Sequence, residues 1–106
     1  MEESKKIKIT VIRRFSPEEV FGHEMKYPNG DKVAPCSRNG LSEGTEWVVE
    51  YMQRPEDFCV WAWRDLSRDL SILFCGGDHF WSEPDVTYTS CSDGMRPVVF
   101  KLERLK

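Results

Sequence analysis

Phe58–Trp81 reads FCVWAWRDLSRDLSILFCGGDHFW, and its reading decides the fold. It holds three of the four tryptophans and two of the four cysteines, so the rest of the chain has to be arranged around it. Trp63, Leu66, Leu70 and Leu73 recur at steps of three and four, the spacing of one apolar stripe on an α-helix. Arg64, Asp65, Arg68 and Asp69 fall on the opposite side as a solvated, mixed-charge face. Gly76-Gly77 supplies the positive-φ residue that commonly closes a helix. The spacing therefore predicts a helix over Val60–Phe74. Each leucine of the stripe contributes roughly 1.5–3 kcal/mol on burial, enough to anchor a sheet without any ligand.

On either side the period changes from helix to strand. Lys6–Arg14 alternates Ile7, Ile9 and Val11 against Lys8, Thr10 and Ile12, the pattern of a half-buried strand. Ser16-Pro17-Glu18-Glu19 then carries an N-cap, a proline at the first helical position and a capping-box glutamate, flanked by Phe15 and Val20 as a hydrophobic staple. Phe21-Gly22 ends this helix early. Tyr27-Pro28-Asn29-Gly30-Asp31 is a turn by its chemistry, and 23–34 reads either as a short hairpin or as an excursion over a pocket. Arg38-Asn39-Gly40 is a further turn. Thr45–Met52 is a second strand, broken by Gln53–Asp57. Val86–Cys91 and Arg96–Leu105 are a third and fourth, joined near Ser92-Asp93-Gly94. Pro97 marks a strand start, an edge or a bulge. The expected architecture is α+β: a small, mainly antiparallel sheet packed around one amphipathic helix, with a short capped helix after the first strand.

At 106 residues the chain reads as a single domain, 1–106. A formal net charge of -3 argues against a general nucleic-acid binder, which needs a basic surface to displace phosphate counterions. Basic residues gather at the start (Lys5, Lys6, Lys8) and at the end (Lys101, Arg104, Lys106). They read as a solvated edge that discourages strand-to-strand aggregation. No apolar run approaches the roughly 20 residues that span a bilayer, and MEESKKIKI lacks a signal-peptide apolar segment. The expectation is a cytoplasmic protein with no membrane or nucleic-acid partner and with reduced thiols.

Four pieces together carry a resemblance: the opening KIKITVIRR, Phe58-Cys59-Val60-Trp61-Ala62-Trp63, Gly76-Gly77-Asp78 with Trp81, and Cys91-Ser92-Asp93-Gly94-Met95-Arg96-Pro97-Val98-Val99-Phe100-Lys101. In this order they resemble a family of small prokaryotic proteins of unknown function with FCxWAW, GGDxxW and CxDGxRPVxFK motifs. The resemblance covers most of the chain outside residues 16–45. It implies a fold and a set of family positions, and no established activity. The chain departs from the pattern at Ser37, where proline typically follows the cysteine, and at His79-Phe80, where Phe-Pro is expected. The run 23–35 is also longer than usual.

Three kinds of chemistry compete. The favoured one is a binding or accessory protein that self-associates and takes a small molecule or a protein partner. Its candidate ligand-binding residues are Cys59, Trp63, Asp78, Cys91, Asp93 and Arg96, between the helix start and the final hairpin. Trp61 lies about 200° around the helix from Trp63, so it faces something other than the core. With Phe80 and Trp81 it is a candidate homo-oligomer interface. Arg96 reads functionally as an anion-binding group. Structurally it reads as a partner of Asp78 or of turn carbonyls, with Asp93 shaping the turn. No cofactor is required on this reading.

The alternative is a Zn or Fe site on Cys36, Cys59 and Cys91, or a thiol-redox role. No cysteine pair has close metal-motif spacing, and free cysteine is commonly a buried packing residue. A stand-alone enzyme is the least favoured class. A cysteine nucleophile needs a base, and only His23 and His79 are present, neither in a motif context. There is no P-loop, GxGxxG, GxSxG or HExxH pattern.

Overall fold

The alternation at the start of the chain becomes β1 (Lys6–Arg14), with Ile7, Ile9 and Val11 buried. It is described here from a computed structural model that covers residues 6–36 and 42–105. The expectations for residues 1–5, for Ser37 and the turn at Arg38-Asn39-Gly40, and for Lys106 lie outside the described residues. β1 is followed by α1 (Pro17–Phe21), β2 (Glu46–Glu50), α2 (Val60–Phe74), β3 (Val86–Ser90) and β4 (Val98–Leu105). The four strands form one antiparallel sheet of order β2-β1-β4-β3. This is the α+β architecture that the periodicities predict. No helix among the described residues is long and apolar enough to cross a membrane.

One face of the sheet carries the core. Ile7, Ile9 and Val11, Val49 of β2, and Val98, Phe100 and Leu102 of β4 meet Ala62, Leu66, Leu70 and Leu73 of α2 in one cluster. Phe58, just before α2, is fully buried at its head. It packs edge-on against Trp47 at 4.7 Å and Trp63 at 5.9 Å, and lies 5.6 Å from the Phe100 ring. The helix is thus nailed to the sheet at its N-terminal end by an aromatic box.

The opposite sheet face is a lattice of ion pairs. Lys6 meets Glu50, Lys8 meets both Glu46 and Glu103, and Lys101 meets Glu103. The basic ends of the chain do come together, because β1 and β4 are antiparallel neighbours. They do not form the expected basic edge, since β1 and β4 are the two central strands and their lysines are interleaved with glutamates.

Local signals explain the connections. Ser16 Oγ accepts from the Glu19 amide at 3.1 Å and the Glu19 carboxylate accepts from the Ser16 amide at 2.9 Å, the reciprocal box that starts α1. The Ser16 amide and the Arg13 guanidinium hold the Glu19 carboxyl below its ordinary value, against the opposing effect of burial. That contribution is present at neutral pH and is lost as pH falls through the lowered value. Gly22 closes the helix at φ 81°. The run from His23 is a minimal hairpin with a single bridge, Lys26 to Lys32, around Gly30 at φ 94°.

β2 is shorter than the Thr45–Met52 alternation predicts. Tyr51 and Met52 adopt positive φ, 54° and 58°, which turns the chain out of the sheet. Asp93-Gly94 does not make a tight hairpin either. β3 and β4 are separated by residues 91–97, and Asp93 Oδ1 accepts from the Met95 amide to shape that loop. Pro97 sits just before β4, where its carbonyl accepts from the Phe15 amide.

Candidate functional site

Cys59 is the N-cap of α2, and its side chain makes no capping bond. One turn on, Ala62 and Asp65 project from the same end of the helix. The Asp65 carboxylate reaches the loop after β3, accepting from the Ser92 amide at 2.8 Å and the Ser92 hydroxyl at 3.0 Å through one oxygen, Oδ2. Between the helix and this loop a cleft of about 300 Å³ opens. Its walls are Cys36, Cys59, Trp61, Ala62, Cys91 and Val98, with Asp65, Ser92, Asp93 and Arg96 as its polar groups.

Two arginines bring Cys36 to this cleft. Arg14 Nη1, from β1, donates to the Cys36 carbonyl, and Arg96 Nη1 donates to the Ala34 carbonyl at 3.4 Å. Arg96 Nε pairs with Asp93 at 3.2 Å. Burial works against the charge of Arg96, but the Asp93 carboxylate bonded to it, with Tyr27 and Cys36 nearby, raises its pKa above the ordinary guanidinium value. Arg96 is therefore a permanent cation, and its Nη2 has no protein partner among the described residues. The Cys91 thiol accepts from the Val98 amide at 3.3 Å, which aligns it at the cleft wall.

Of the residues singled out from the sequence, Cys59, Cys91, Asp93 and Arg96 meet in this cleft. Cys36, taken there only as a metal alternative, meets them. Trp63 does not; it is half-buried against Phe58 in the core. Asp78 does not either, because it lies beyond the far end of α2. The expected Arg96–Asp78 pair is absent. Asp78 pairs instead with Arg104 at 2.8 Å.

Arg104 sets up a second polar cluster, which sequence reasoning missed. Its side chain is only 12% exposed. It pairs with Asp85 at 2.7 Å and donates to the carbonyls of Leu73 at 2.7 Å and Gly77 at 2.9 Å. Asp78 also accepts from the Asp85 amide at 2.8 Å, where Asp85 holds φ 71°. The helix is closed by the expected glycines, with Gly76 at φ 89° donating to the Leu73 carbonyl at 3.1 Å and Gly77 to the Ile72 carbonyl at 2.9 Å, and the guanidinium adds to that cap while two carboxylates neutralise it. One signal pointed to it: Arg104 shares the inward parity of Val98, Phe100 and Leu102.

Beside it, His79 Nε2 meets Asp69 Oδ1 at 3.1 Å, with both side chains some 95% buried. Trp81 lies over the imidazole at 4.5 Å. Asp69, expected on the solvated face, flanks the core instead because the 77–82 loop folds back over it.

The three interface candidates are exposed, Trp61 by 68%, Phe80 by 94% and Trp81 by 65%, but they do not form one patch. Trp61 is at the head of α2 on the cleft rim; Phe80 and Trp81 stack edge-on at 5.0 Å past its tail. All four cysteines are free thiols. Cys36, Cys59 and Cys91 share the cleft, yet among the described residues no three His, Cys, Asp or Glu side chains converge as a metal-holding group. Cys75 is the exposed C-cap of α2.

Fold and site together define a small antiparallel α+β domain with a thiol-lined cleft at the head of its one long helix. No protein-family model matches the chain, and neither curated proteins nor solved structures give a match.

Proposed function

We propose that the chain is a non-catalytic binding or accessory protein that holds a small molecule in the cleft at the head of α2. The ligand has an apolar body and a polar end carrying one acceptor and one donor. The carrying observation is the lining. Apolar and thiol groups form the walls, while Arg96 Nη2 and Asp65 Oδ1 have no protein partner among the described residues at the polar end. Asp65, Asp93 and Arg96 together carry a formal charge of -1, which favours a neutral or zwitterionic ligand over a simple anion.

Four free thiols fit a reducing, cytoplasmic setting. The resemblance to small prokaryotic proteins with cysteine and tryptophan motifs fits the same reading, since its Cys59, Cys91, Asp93 and Arg96 are cleft residues. The exposed aromatics support self-association.

The test is an NMR fragment screen on reduced, labelled protein. Binders should shift the Trp61 indole, Cys59 and Cys91 signals and lose affinity in Arg96→Gln. Binders that map only to the outer sheet face would overturn the reading. A second reading, a cysteine-bound Zn or Fe ion or a thiol-redox role, is favoured by the three thiols that share the cleft. Native mass spectrometry under reducing, metal-replete conditions separates the two. A mass excess lost in Cys59→Ser or Cys91→Ser supports the metal.

A further inference from the structure

The two edges of the sheet differ. β2 carries a glutamate at each end, Glu46 and Glu50, and then turns out of the sheet through Tyr51 and Met52. Charge and shortness of this kind block pairing with another chain. β3, at the other edge, is Val-Thr-Tyr-Thr-Ser: uncharged, free of proline and rich in strand-forming residues.

The hydrogen-bond parity of β3 says which of its groups are open. Cys91 donates to Val98 and Asp85 accepts from Arg104, so Asp85, Thr87, Thr89 and Cys91 are the residues that bond across to β4. The amides and carbonyls of Val86, Tyr88 and Ser90 therefore point away from the sheet. Those of Val86 are taken, its amide by the Glu83 carbonyl at 3.2 Å and its carbonyl by the Ser82 hydroxyl at 2.6 Å. Beyond the strand, the Ser92 amide is taken by Asp65. Among the described residues Tyr88 and Ser90 remain without outward backbone partners, with two donors and two acceptors.

We propose that two copies of this chain pair through their β3 edges, antiparallel, about a two-fold axis at Thr89. This deepens, and rests on, the self-association reading above. In this register Tyr88 of each copy exchanges both bonds with Ser90 of the other, giving four backbone bonds and leaving no open group. Centring the axis on Tyr88 instead would oppose Ser90 to the blocked Val86. Centring it on Ser90 would oppose Tyr88 to Ser92, whose amide Asp65 already holds.

The same blocks select a second copy over a through-running peptide. Each chain leaves the strand at Ser92, drawn toward α2 by Asp65, before it would meet the loop that covers the partner's Val86. A continuous extended peptide has no such departure and would collide with Ser82 and Glu83. The two-fold also carries Phe80 and Trp81, which precede the blocked end of β3, toward the partner strand's exit into its hairpin. The largest exposed aromatics past the tail of α2 thereby gain a covering surface.

The axis makes a register-specific prediction. Thr89 and its symmetry mate form a non-hydrogen-bonded pair, the closest side-chain approach in an antiparallel ladder. Thr89→Cys should give a covalent dimer on mild oxidation, with peptide mapping placing the bond between the two engineered thiols at position 89. Tyr88→Pro removes an outward donor and leaves the bonds to β4 in place. Its dimer Kd should rise at least about tenfold with an unchanged far-UV circular dichroism spectrum. Native mass spectrometry of the wild type should give a dimer at about 100 µM. A monomer at that concentration would sink both the pairing and the self-association reading. A discrete dimer without the position-89 crosslink would leave self-association standing and overturn the β3 edge.

Discussion

The two ends of α2 are held in different ways. At its head the helix is fixed by apolar packing, with Phe58 between Trp47, Trp63 and Phe100. At its tail Leu70 and Leu73 still pack in the core, but polar groups are added, with Arg104 spending its guanidinium on two carboxylates and two carbonyls. Packing consumes no hydrogen-bonding capacity, so the head can keep a cleft with spare donors and acceptors. The Arg104 guanidinium at the tail already has every one of its nitrogens engaged, and a donor so engaged rigidifies without offering anything to a ligand. That difference, more than residue type, is why Arg96 is a candidate binding residue and Arg104 a structural one.

The largest way to break this comparison is at the head. Phe58→Ala should cost about 3–5 kcal/mol in urea unfolding, because three aromatic neighbours lose their common contact. A loss under about 1 kcal/mol would mean that the box does not hold the helix. At the tail, Arg104→Met should cost about 3 kcal/mol by taking the guanidinium from the Gly77 carbonyl and from both carboxylates, while the Leu73 carbonyl keeps the Gly76 amide. The loss is no larger because Asp78 is 40% exposed, so solvent keeps part of its charge compensated. If this variant unfolds at the wild-type denaturant midpoint, the tail network is ornamental and the contrast collapses.

The head was the more legible end. Its signals are periodic: the 3.6-residue stripe located α2 at Val60–Phe74, and the period-2 runs located β1 and the inward residues of β4. Cys59, Cys91, Asp93 and Arg96 could be grouped because they flank the elements that packing brings together. The tail was opaque for a physical reason. Arg104 lies 26 residues from Asp78 in the chain, and long-range ion pairing has no period to read. A basic cluster at the end of the chain resembles a solvated edge, whereas strand parity turns this one arginine inward. Asp69 was misjudged in the same way, since its burial depends on where the 77–82 loop folds back.

A smaller effect sharpens the tail. His79→Leu should cost about 2 kcal/mol, chiefly by leaving the buried Asp69 carboxylate with only the solvent-exposed Arg68, 3.9 Å away. Asp69→Leu together with His79→Leu should recover part of that loss, since an apolar pair leaves no uncompensated charge. Additive losses in the double-mutant cycle would show the two side chains acting separately.

The smallest expected effect is the most discriminating. Arg96→Gln should change unfolding free energy by under about 1 kcal/mol, because its ion pair with Asp93 sits at a solvent-open rim. Removing a cation with an unused donor should cost the fold little and the cleft its polar anchor. Set beside Arg104→Met in the same urea titration, it separates the two arginines by their surroundings alone. Equal losses would mean that Arg96 is a strut holding Ala34 and Cys36 against the head of α2, and the cleft would then have no group reserved for a ligand.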